Sequence, residues 1–194
     1  QHHLAWAYLI EGDLPAARGA LAALPPRVRP DAYLEGRIHL AARDPEAALG
    51  PLVEALEDRG DEAEVAEAVA EAIAATGRLG ALEALVASEA RARTTTPAAL
   101  QRVAFALFRR GAHALAGDLY ERLFARFADP LDAFNAGCAR ARRGELEEAL
   151  AWLGRAVDAG LEPAHLFETD EDLAPLRDHP GLAELRARAA RRAP

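Results

Sequence analysis

Five interruptions set the terms on which this chain can fold. Gly12-Asp13, Arg43-Asp44, Gly77-Arg78, Gly111-Ala112 and Gly144-Glu145 each break a helical pattern, and a second helical run follows each break. They fall close to 33 residues apart. A fixed spacing of this size is the signature of a tandem array, in which one unit recurs and buries its apolar face only by stacking on its neighbours. Between the breaks Ala, Leu, Glu and Arg dominate, all good helix formers, and apolar residues recur three and four apart. No stretch alternates apolar and polar residues cleanly enough for a strand. The expected fold class is therefore all-α, a solenoid of helical hairpins.

The punctuation has a physical cause. Glycine at a helix end accepts the left-handed conformation that stops the helix, and an acidic residue just after it can cap the next one. In Asp44-Pro45 the acid is the expected N-cap and the proline takes the first helical position, where no backbone donor is missed. Thr96-Pro97 and Asp129-Pro130 carry the same signature, and Asp61 with Glu64 reads as a capping box.

A period near 34 with two helices per unit resembles the tetratricopeptide repeat family. The resemblance is carried best by Asn135-Ala136-Gly137-Cys138-Ala139, Gly144 to Ala149, Leu153 and Ala156. The first unit matches with Ala5, Tyr8, Gly12-Asp13, Ala17, Leu21 and Leu24, and the second with Gly36, Asp44, Ala48, Leu52 and Ala55. The fourth keeps Ala104, Leu107, Gly111, Ala116 and Tyr120. The third is weakest: Ala70, Gly77 and Val86 fit, but Leu82 stands where a small residue is usual. Small residues at Gly36, Ala70, Ala104 and Gly137 would let the two helices of each hairpin approach closely. The resemblance implies about five hairpins in a right-handed superhelix over residues 1–160. Residues 161–194 are then C-terminal capping helices, with Leu173, Leu176, Leu182 and Leu185 covering the last apolar stripe and Arg186, Arg188, Arg191 and Arg192 facing water.

Composition excludes several classes. A net charge of −8 argues against nucleic-acid binding. No apolar run approaches the ~20 residues that cross a bilayer. Cys138 is the single cysteine, so no intrachain disulfide forms. Lysine and methionine are absent and about a quarter of the chain is alanine, usage that points to a GC-rich bacterial genome. The missing initiator methionine and an apolar opening helix (Leu4, Trp6, Leu9, Ile10) lead to the expectation of a piece of a longer protein.

Catalytic patterns are lacking. The six histidines form no HExxH and no paired metal spacing, Ser88 is the only serine and sits in no GxSxG, and there is no phosphate-binding glycine loop. The expectation is no enzyme, no cofactor and no metal, with Cys138 a packing residue. Glu35 and His39 depart from the pattern: they share one helical face at positions where the family packs large apolar side chains. Arg140 is the same oddity in the fifth unit.

In arrays of this family the first helix of each hairpin lines a concave groove. Carried onto this chain, that implies a peptide-binding surface of Trp6, Leu9, Tyr33, Arg37, Glu64, Glu67, Glu71, Arg102, Phe105, Phe108, Arg109, Asn135 and Arg142. Residues 54–90 hold ten acids against two bases, and residues 91–127 seven bases against two acids. The expected partner is another protein or peptide with basic residues for the glutamates and an apolar residue for Phe105. Carboxylate-clamp binding of chaperone tails is disfavoured, since there is no lysine and Asn135 is the only asparagine. The functional expectation is a cytoplasmic protein–protein or peptide-binding scaffold. The alternative is a regulatory or substrate-recruiting domain of a larger enzyme, such as a membrane-embedded protease, lying outside these residues.

Overall fold

The computed structural model describes residues 1–25, 31–87, 96–162 and 165–192; Ser88 lies outside them. Among the described residues there are twelve α-helices, two short 3-10 turns and no strand. The helices are α1 (His2–Glu11), α2 (Leu14–Ala22), α3 (Ala32–Ala41), α4 (Pro45–Asp58), α5 (Ala63–Thr76), α6 (Glu83–Ala87), α7 (Thr96–Arg109), α8 (His113–Phe127), α9 (Pro130–Arg142), α10 (Leu146–Asp158), α11 (Leu166–Thr169) and α12 (Pro180–Arg192). None of the described helices is long and apolar enough to cross a membrane. The chain divides into two compact units, Gln1–Val103 and Ala104–Pro194. In the first, α1 packs on α2, α2 on α3, α3 on α4 and α4 on α5; in the second, α8 packs on α9, α9 on α10 and α10 on α12.

Four turns are built alike. At Gly12, Arg43, Gly111 and Gly144 the backbone is left-handed, with φ of 82°, 59°, 77° and 79°. The residue after each donates to a carbonyl five positions back: Asp13 to Tyr8, Asp44 to His39, Ala112 to Leu107 and Glu145 to Arg140, at 2.9–3.1 Å. The left-handed residue itself donates to the carbonyl three back. These are Schellman motifs, which satisfy the orphan carbonyls of one helix and turn the chain sharply into the next. Asp13 and Asp44 then cap the following helix by accepting from Ala16 and Ala47 at 3.0 and 3.1 Å. Asp129 does the same ahead of α9 through the Leu131 amide.

Two local expectations are corrected. The capping box at Asp61 and Glu64 does not form: α5 starts at Ala63 with Glu62 at its N-cap and no side-chain cap bond. The Glu62 carboxylate is taken instead by Arg59, whose Nε lies 2.7 Å away. The turn at Gly77 also differs. It is left-handed, but a 3-10 turn (Leu79–Leu82) follows it before α6 begins. Leu82 is 1% exposed and fills the place where a small side chain would admit a close-packed helix.

The small positions are contact points. A Cβ at Gly36 would come 2.4 Å from Leu52 Cγ and 3.4 Å from the Ala48 carbonyl oxygen; at Gly137 it would come 2.8 Å from Leu153 Cγ and 3.2 Å from the Ala149 carbonyl oxygen. The same geometry thus recurs in α3/α4 and α9/α10. Ala70 and Ala104 are fully buried. At the C-terminal end Leu173, Leu176, Leu182 and Leu185 are buried in one cluster with Phe134, Cys138 and Leu153. Arg186 and Arg191 are exposed, while Arg188 pairs with Asp158 at 2.6 Å.

Gly36→Ala and Gly137→Ala should each destabilise the chain by about 1–3 kcal/mol, because a fixed leucine rather than a flexible chain end must move. Urea unfolding reads this as a lower midpoint at unchanged slope. Midpoints equal to that of the parent chain would show that the close approach carries no stability.

Candidate functional site

In the first unit the expected groove residues meet around one tyrosine. Tyr33, on α3, is 6% exposed. Its ring lies 5.9 Å from that of Trp6 on α1. The guanidinium carbons of Arg37 and Arg59 sit 5.7 and 5.2 Å from its centroid. Arg37 Nη1 donates to the Tyr33 hydroxyl at 3.0 Å, and that hydroxyl donates to the Glu64 carbonyl at 3.4 Å. Arg59 also reaches Asp31 at 3.5 Å. Its bond to Glu62, together with the nearby acids, holds the guanidinium more firmly protonated than usual, and Arg59 in turn depresses the Glu62 carboxyl. Tyr33 is therefore an organising centre rather than an open contact. Leu9 packs, half-buried, on the small core of Ala5, Ala17 and Leu34.

Arg59 was missed by the groove reasoning. Its signal was present, since it is one of only two bases in residues 54–90. On α5, Glu64 and Glu71 are exposed and Glu67 is half-buried. Arg102 Nη1 donates to the Gly60 carbonyl at 2.8 Å, which ties α7 to the segment just before α5. Gly60 is buried there, and a side chain on it would run into Ala99, 2.6 Å from an added Cβ.

In the second unit Phe105 and Phe108 have different fates. Phe105 is 55% exposed, with the Arg109 guanidinium 5.9 Å from its ring centre. Phe108 is half-buried on the core and meets the His113 ring edge-on at 4.7 Å. On α9 the corresponding face is covered by the chain itself. Phe134 packs edge-on against Phe167 at 5.6 Å, and Arg142 Nε lies 3.7 Å from Asp172. Asn135 is half-buried beside them in sequence. Cys138 is 3% exposed, and burial, reinforced by Asp170 and Asp172, raises its thiol well above its ordinary range. That makes it a poor nucleophile.

The odd polar residues resolve in two ways. Arg140 is satisfied: Nε donates to Glu121 at 2.9 Å and Nη1 to Glu145 at 3.0 Å, with Asp118 3.6 Å away. Glu35 and His39 instead line a cavity. Asp132 is the one charged residue that is fully buried among those described, and with burial itself it pushes the Tyr120 phenol upward. No three His, Cys, Asp or Glu side chains among the described residues converge in a way that could hold a metal. Searches of protein-family models and of curated proteins give no match to this chain.

His113, at the start of α8, faces Phe108 of α7, Arg142 of α9 and Asp172 of the 3-10 turn (Glu171–Leu176). Burial first, then Arg142, lowers its pKa below 6.5, while Asp172 is raised by burial and by Asp170. A histidine lowered in the folded state is protonated more readily in the unfolded chain, so stability falls as pH drops through about 6.5. Asp172 acts in the opposite sense, and only at more acid pH. His113→Gln should flatten the loss of stability just below neutrality in urea unfolding at stepped pH. A profile identical to the parent's would remove His113 from that role.

Proposed function

We propose that this chain is a peptide- or protein-binding scaffold of tetratricopeptide-repeat type. On this reading it forms about five hairpins coiled into a right-handed solenoid, works in the cytoplasm and performs no chemistry of its own. Four Schellman turns in one register and the repeated glycine-on-leucine contact support the repeat reading. The observation that carries the binding reading is Phe105. A phenylalanine more than half exposed on a well-formed helix costs free energy in water unless something covers it, and aromatic rings flanked by arginine are the residues that anchor partners. The partner offers an apolar side chain to Phe105.

Peptides selected from a random display library on the folded chain supply the probe. Phe105→Ala should cost about 2 kcal/mol or more, roughly 30-fold in Kd, at any salt concentration. Selected peptides whose binding ignores Phe105→Ala, with helicity intact by circular dichroism, would rule this surface out.

A further inference from the structure

The join between α2 and α3 occurs again between α8 and α9, and the two are closed differently. Counting from the left-handed residues Gly12 and Gly111, Arg18 corresponds to Gly117, Leu21 to Tyr120 and Ala22 to Glu121. Counting back from Arg43 and Gly144, Glu35 corresponds to Ala136, Ile38 to Ala139 and His39 to Arg140. In the second unit this join is shut. A Cβ on Gly117 would lie 3.3 Å from that of Ala139, Tyr120 is 3% exposed, and Glu121 pairs with Arg140. In the first unit Arg18 stands where the glycine would allow close approach, and Ala22 stands where His39 would need an acid. The result is a cavity of about 270 Å³ lined by Arg18, Leu21, Ala22, Glu35, Ile38 and His39.

We infer that this cavity is a binding site for a small zwitterion with an aliphatic side chain, the chemistry of a free branched-chain amino acid. The α2 wall carries a cation, Arg18, and the α3 wall an anion, Glu35; among the described residues neither makes an ion pair, with the other or with anything else. Between them Leu21, Ala22 and Ile38 give an apolar floor. Arg18 is exposed and Glu35 half-buried on these walls, so a ligand carrying both charges gains a partner on each wall and a singly charged one gains only one. A carboxylate meets the guanidinium as a two-pronged pair, an ammonium meets Glu35, and the side chain rests on the floor. The Nδ1 atom of His39 is buried with no hydrogen-bond partner among the described residues. The volume lies just below the ~300–1,000 Å³ of pockets for drug-sized molecules, which suits an amino acid. This site is independent of the Phe105 surface.

Isothermal titration of the full chain with L-leucine should show saturable binding at millimolar ligand or below. Arg18→Gln and Glu35→Gln, both on solvent-accessible walls, should each weaken it by about tenfold or more. The double change Ala22→Glu with His39→Arg transplants the pair that shuts the other join. It should abolish binding while leaving the unfolding midpoint unchanged or higher. 3-Methylbutylamine and 4-methylpentanoate, each lacking one charge, should not bind. Absence of saturation with L-leucine, undiminished binding in either single variant, or equal binding of either analogue would overturn the assignment.

Discussion

At Gly36 and Gly137 a helix backbone touches a leucine side chain of its partner helix, and the rest of each pair follows from that contact. Two helices that meet at a residue without a side chain come close enough for their flanking residues to interlock. Leu34, Ile38, Leu52 and Leu56 then become almost wholly buried around Gly36, and Phe134, Leu153 and Val157 around Gly137. Each of those side chains contributes ~1.5–3 kcal/mol by leaving water. The Schellman turns serve the same contact. They fix the angle and phase at which the second helix returns, so that the leucine arrives over the glycine. At Leu82, where the pattern expects a small residue, the chain enters the second run through a 3-10 turn.

Most of this architecture is legible in the sequence because it depends on local rules. A glycine or asparagine-like turn, a capping acid and a small residue at fixed distances leave marks that one chain reveals by repeating them. The positions Gly12, Asp44, Gly137 and Leu153 were identifiable for that reason. The cap of α5 was not, because Arg59 competes for the carboxylate that would have made it, and that competition crosses the turn before α5. Nor was the fate of the aromatic residues. Phe105 and Phe108 lie three apart on one helix, and the second is covered by the core cluster together with His113. Sequence periodicity places a residue on a face; it does not say which face another element will occupy.

The polar residues among the apolar ones show the same limit. Glu35, His39 and Arg140 all break the apolar pattern, and the pattern alone assigns them one meaning. The structure gives them two, because Arg140 finds Glu121 on the preceding helix whereas His39 finds Ala22 in the corresponding place. One substitution in the neighbouring helix separates a satisfied ion pair from an open cavity. The covered face of α9 is a related case. The segment that follows α10 returns with Phe167 and Asp172 against Phe134 and Arg142, so the chain supplies its own occupant for that helix.

The brevity of the turns has a bearing on how such a chain can change over generations. Only two or three residues separate the paired helices at Gly12, Arg43, Gly111 and Gly144. An inserted or deleted residue there would rotate the returning helix by about 100° and carry its buried stripe away from the glycine. The links from one pair to the next lie outside these turns, and the one from α8 to α9 is itself only two residues long. Duplication or recombination that cuts there passes on an intact pair, while a cut at a turn passes on two helices that no longer fit each other.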